Sequence, residues 1–195
     1  MNRKFHRLGG CAAWLGLVAL LGGCAATAPD YQPDAEAAAA LKAGTPGSAR
    51  VSLINITLGA PGMWRLQVQD QRLRSPVGWN YGNYLAQALR SELQVGGHYN
   101  AWADNEISGT LLDNRFEVDA QRRCNGAMEA RFVVSRNGQI RFDKTKSVTT
   151  QSTLPPGGDT TAPAMRTYAA MTRALLSSLM ADPEFVAALG DPARP

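Results

Sequence analysis

The chain has 195 residues, with 20 Lys and Arg against 16 Asp and Glu, a formal net charge of +4. Arg3, Lys4 and Arg7 supply three of those charges before any acidic residue occurs, so the chain from Cys24 onward carries only +1 and lacks the basic excess that a nucleic-acid surface needs. Three cysteines and two histidines are too few for a disulfide framework or a multi-histidine metal centre.

The first predicted element is a processing signal. A basic start (Arg3, Lys4, Arg7) leads into the apolar run Leu8–Leu21, which is shorter than the roughly 20 residues a membrane span requires but suits a signal h-region. Leu21-Gly22-Gly23-Cys24 then reads as a bacterial lipoprotein cleavage site. Cleavage falls between Gly23 and Cys24, and Cys24 is the lipid attachment point. Several acyl chains on one cysteine, at ~0.8 kcal/mol per buried CH₂, anchor a protein in effect permanently. Lipoproteins of this kind belong to diderm bacteria, and Ala25 stands where an inner-membrane retention Asp would be. The expected location is therefore the outer membrane, facing the periplasm.

The chain divides into a signal peptide at 1–23, a flexible tether at 24–48, a domain at 49–190 and a tail at 191–195. The tether is punctuated by Pro29, Pro33, Gly44, Pro46 and Gly47. As a coil its ends would lie roughly 25–30 Å apart. Two strands are predicted next, Val51–Leu58 and Trp64–Val68, from apolar residues at every second position. A helix follows from Asn80 or Asn83, with Tyr81, Leu85, Ala88, Leu89 and Leu93 on one face and Gly96-Gly97 at its end. Glu106–Val118 reads as a strand in which Gly109 marks a bulge or a close contact.

A hairpin spans Met128–Val148. A two-residue Asn137-Gly138 loop in plain register would set Val134 opposite Arg141 and Phe132 opposite Asp143. A three-residue loop, Arg136-Asn137-Gly138, instead pairs Val134 with Ile140 and Phe132 with Phe142, and is the expectation because it keeps one face apolar. The run Lys144–Thr153 is polar and reads as an edge strand fading into the Pro155–Gly158 loop, its hydroxyls also suited to glycan or lipid headgroups. A helix from Thr161 carries Met165, Tyr168, Thr172, Leu175, Leu176 and Leu179 on one face. A short helix follows Asp182-Pro183. The predicted fold class is α+β: a mixed or antiparallel sheet of about four to five strands packed against two amphipathic helices in a single domain.

The sequence selects no catalytic centre. His98, the single histidine after Cys24, sits beyond Gly96-Gly97 in a predicted turn. No Gly-x-Ser-x-Gly or phosphate-cradling glycine loop occurs. No catalytic, cofactor or metal residue is assigned, and an enzyme is not expected. Cys124 is either a single thiol or half of an intermolecular disulfide, with Arg122 and Arg123 beside it as potential pKa-lowering neighbours. Met165, Met171 and Met180 suit either core packing or a soft ligand groove.

Three segments together resemble the YajG-like family of small bacterial envelope lipoproteins: the helix Tyr84–Leu93 running to Gly96-Gly97, the strands meeting at Arg136-Asn137-Gly138-Gln139, and the closing amphipathic helix. The family has no established catalytic motif, so the resemblance implies a non-catalytic envelope domain. More distant likenesses are to the lipopolysaccharide-transport partner LptE and to auxiliary lipoproteins of lipid transporters. The start expected after the LptE cysteine is replaced here by Ala25-Ala26-Thr27. The expected function is a membrane-anchored binding or accessory domain whose partner is another envelope protein or a lipid, with no nucleic acid and no cofactor. The alternative is an auxiliary of lipid or lipopolysaccharide transport. A concave apolar groove beside the Met-bearing helix would favour lipid handling; a closed core with a flat polar sheet face would favour protein docking.

Overall fold

The computed structural model describes residues 27–33 and 46–190. Cys24 and Gly23, the tail and part of the tether lie outside the described residues. Nine elements follow in chain order: β1 (Ala49–Ile56), β2 (Arg65–Val68), β3 (Gln71–Arg74), α1 (Tyr81–Gly96), β4 (Asn105–Val118), β5 (Arg123–Arg136), β6 (Gln139–Thr153), α2 (Thr161–Met180) and α3 (Pro183–Leu189). The class is α+β, as expected, and among the described residues the sheet has six strands and three helices cover it, more than anticipated.

The order across the sheet is β3-β2-β4-β5-β6, with β1 also on β4. Strands β4, β5 and β6 form a long antiparallel meander. The other edge of β4 is shared: β1 runs parallel to its first half and β2 parallel to its end. A parallel pair needs a crossover, and α1 provides it between β1 and β4. Strand β3 escapes the sequence because four residues with one inward apolar side chain, Leu73, make too short a pattern to read.

Helix α1 begins where its cap allows. Asn80 Oδ1 accepts the Asn83 amide at 3.0 Å, and Gly97 closes the helix in the left-handed region at φ 80°. Gly82 lets this helix approach β1 closely, since a Cβ there would come within 2.5 Å of the Ile54 carbonyl oxygen, at 2.4 Å. Helix α2 takes its first amides, Thr161 and Ala162, to the Asp159 carboxylate, each at 3.0 Å. Helix α3 is capped by Asp182, which accepts the Glu184 amide at 2.9 Å. All three helices lie on one sheet face. Tyr81, Tyr84, Leu89, Tyr168, Leu176 and Phe185 are buried there against Phe116, Phe132 and Leu111.

The hairpin expectation is corrected. Arg136 pairs with Gln139 and Ser135 with Ile140, which leaves a two-residue Asn137-Gly138 turn with φ of 50° and 78°. Val134 then pairs with Phe142 because Arg141 is an extra residue in β6. The apolar match is therefore achieved by a bulge beyond the turn, not by a longer turn. Ile140 is left exposed on the far side of the bulge.

Candidate functional site

Two features stand apart from the sheet–helix packing among the described residues: a groove on the sheet face opposite the helices, and the docking of Thr27–Pro33, whose Ala28 and Tyr31 join the core.

The groove follows from alternation. On β4, Arg115 and Glu117 point away from the helices while Asn114, Phe116 and Val118 point in. Register places Ala127 opposite Arg115 and Asn125 opposite Glu117. Thr149 and Gln151 of β6 lie opposite Ala127 and Asn125 in turn. Gln67 of β2 pairs with Glu117 on the other side, and Arg65 lies beyond it. These side chains, with Pro61 and Gly62, line an open groove of about 540 Å³. Ala127 keeps its floor low. Gly126 on the floor strand lies close to the core, since a Cβ there would come 2.7 Å from Met171 Sδ.

The groove's lining offers guanidinium, amide and hydroxyl groups and one carboxylate, but no histidine, cysteine or lysine. That set binds polar or charged ligands by hydrogen bonds; it holds no nucleophile paired with a base. Asp113 pairs with Arg115 at 2.7 Å, while Arg65 makes no ion pair among the described residues. Beyond the turn end, Asp119 takes the Arg123 amide at 2.9 Å and its guanidinium at 2.7 Å, which hold its carboxyl below the usual range. The hydroxyl run expected to fade into a loop remains strand to Thr153, and Thr149 forms part of the groove wall. The signal for this site was present as matched polar positions on β4, β5 and β6, but it needs the bulged register to be read.

The second feature corrects the tether at 24–48. Thr27 bridges Arg74 in parallel, and the Ala28 amide donates to the Arg74 carbonyl at 3.0 Å, so this segment covers the outer edge of β3. Tyr31 is then buried between α1 and α2. Its hydroxyl donates to the Glu92 carboxylate, its ring meets Tyr84 edge-on at 6.1 Å, and the Arg173 guanidinium lies over it at 6.0 Å. Arg173 also donates to the Gln32 carbonyl at 3.0 Å. Burial, and then the Glu92 carboxylate, push the Tyr31 phenol far above its ordinary value, so it stays a donor. The residue class that drives this is legible in retrospect: Tyr31 is the one aromatic between Cys24 and Ser48.

Among the remaining sequence candidates, Cys124 is buried and unbridged, and burial raises its thiol pKa despite Arg122 and Arg123. His98 is half-buried just past the Gly97 cap, its amide on the Leu93 carbonyl at 2.8 Å. Among the described residues no three His, Cys, Asp or Glu side chains gather as a metal site, and no helix is long and apolar enough to cross a membrane. Met165, Met171 and Met180 are core residues.

No family model and no curated protein matches the sequence. Solved structures resemble the fold in part. A DUF330-family protein from Xanthomonas campestris aligns at TM-score 0.47 and 13% identity, covering 69% of this chain and 80% of that one. A PelC dodecamer from Paraburkholderia phytofirmans aligns at 0.42 and 14%, covering 80% and 96%. A hypothetical protein from Chlamydia trachomatis aligns at 0.43 and 8%, covering 70% and 96%.

Proposed function

We propose that this chain is a YajG-like bacterial lipoprotein, acylated at Cys24, held at the outer membrane facing the periplasm, and serving as a non-catalytic binding or accessory domain. The observation that carries the reading is a groove on the helix-free sheet face, in which Arg65, Gln67, Arg115, Glu117, Asn125 and Thr149 present hydrogen-bonding groups beside apolar surface, over a filled core. The space between sheet and helices, where an auxiliary of lipid or lipopolysaccharide transport would hold a lipid, is occupied by Phe132, Met128, Met165 and Tyr168. The uncovered sheet face offers hydrogen-bonding side chains in register instead. A surface of this mixed character suits another envelope protein. A lining without a nucleophile–base pair supports a binding role over an enzymatic one.

Two measurements test this. Metabolic labelling with a palmitate analogue should mark the wild-type chain and not Cys24→Ser; equal labelling removes the anchor. A photo-crosslinking residue in place of Thr149 should capture a defined envelope protein in intact cells, while one at exposed Thr145 should not. Identical products from both positions would remove the groove as the binding face.

A further inference from the structure

The β2–β3 hairpin carries Arg65, Arg72 and Arg74 on its outer face. Register puts Arg65 opposite Arg74 and Gln67 opposite Arg72, while Leu66 and Leu73 point into the core. None of the three arginines makes an ion pair among the described residues. Arg65 and Arg74 lie at the open end of the hairpin, and Asp70 lies at its turn. Three unneutralised guanidinium groups on one short hairpin repel each other, and they are stable together only against water or an anionic surface. Just beyond Arg74, Trp79 is 80% exposed in the loop before α1, and Trp64 flanks β2, half exposed.

The chain's own course says what covers this surface. Thr27 is fixed to Arg74, and Cys24 precedes it by three residues, a reach of at most ~11 Å at ~3.3–3.6 Å per residue. We propose that the outer face of the β2–β3 hairpin lies against an anionic phospholipid surface, with Arg65, Arg72 and Arg74 on headgroup phosphates and Trp79 in the interfacial layer. The inference rests on acylation of Cys24. Cationic side chains meet headgroup phosphates, and tryptophan favours the zone between headgroup and chain. Trp102, 91% exposed, lies past the other end of α1, a 16-residue helix about 24 Å long, and is the exposed tryptophan remote from the hairpin.

The test uses protein purified from the envelope of a diderm host. Its mass reports acylation independently of the rest. The acylated form is reconstituted into vesicles, or the unmodified form mixed with them, using phosphatidylglycerol or phosphatidylcholine with brominated acyl chains that quench tryptophan. In phosphatidylglycerol, W79F should lose about half or more of the quenching and W102F should lose none. The triple variant Arg65→Gln, Arg72→Gln, Arg74→Gln should lower quenching at least about two-fold when anchored. Unanchored, it should bind on the order of 100-fold more weakly. All three positions are solvent-facing, and an unchanged thermal melt separates this loss from unfolding.

Quenching that arises from Trp102, ignores lipid charge and the three arginines, or fails to appear overturns the inference, and an acylated mass then leaves the anchor intact. An unmodified mass removes the anchor. In that case phosphatidylglycerol-dependent quenching of Trp79 by the free protein supports the surface, and its absence sinks it.

Discussion

Asp182 joins the start of α3 to β6, 36 to 38 residues away in the sequence. It caps α3, and its carboxylate also accepts Lys146 Nζ at 2.8 Å and Lys144 Nζ at 3.2 Å from β6. Lys146, the capping amide and Lys144 hold its pKa well below the ordinary carboxylate range. A carboxyl depressed on folding contributes stability above its unfolded value of about 3.9, and the contribution is lost as pH falls through the folded value. Asp182→Asn keeps a capping acceptor and removes the charge, so it should cost about 1–2 kcal/mol near neutral pH. The gap to wild type should close as pH drops below about 4 in urea titrations. A gap that stays constant with pH would show that the lysines contribute nothing. Cys124 offers a second test at this scale. Its thiol should resist a disulfide reagent in the native protein and react fully in denaturant; rapid native reaction would place it at the surface. The expectation of a buried or tolerated single thiol is met, because strand alternation buries Cys124 and outweighs its neighbours Arg122 and Arg123.

At the scale of elements, caps were legible and registers were not. Asn80, Gly97, Asp182 and Gly190 announce the helix ends because their chemistry is local. The β5–β6 hairpin depends on where one extra residue is inserted, and Arg141 carries no mark of it. Positive φ at both turn residues changes what substitution should do. Val at either Asn137 or Gly138 places a β-branched side chain in the left-handed region and should cost about 1–2 kcal/mol in thermal or urea denaturation. Asn137→Gly should be nearly neutral. A harmless Asn137→Val would restore the three-residue loop. Strand β6 also shows why its polar sequence reads as an edge. Lys144 and Lys146 point toward the helix side and reach Asp182, and inward-pointing charge is one way an open edge resists pairing with another sheet. The groove was hidden for the same reason as the hairpin, since its walls are assembled only once β4, β5 and β6 are aligned.

At the scale of the molecule, the edges at β6 and β3 are treated differently. Among the described residues the β6 edge pairs with no further strand and is charged, while the β3 edge is bridged by Thr27 and Ala28. Composition marked the whole of 24–48 as a spacer, since prolines, glycines and alanines dominate it, and one tyrosine overrode that average. Tyr31→Ala removes a buried ring from between α1 and α2 and should destabilise the domain by about 2–4 kcal/mol. A chain beginning at Gly47 should lose a similar amount relative to one beginning at Ala25. Equal melting temperatures for the two would mean that Thr27–Pro33 adheres without contributing.

That docked segment also has a mechanical meaning. With Cys24 acylated, a load applied by a partner on the groove passes to the membrane through the Ala28–Arg74 hydrogen bond and the Tyr31 ring before it reaches any ladder of the sheet. Those few contacts yield first. Their release moves the first held point from Thr27 to Gly47, whose amide bonds the Leu189 carbonyl at 3.0 Å, 23 residues from Cys24 and at most roughly 76–83 Å of chain. On an acylated Cys24, then, Tyr31 and its few partners would set two working distances between domain and membrane, one close and one long.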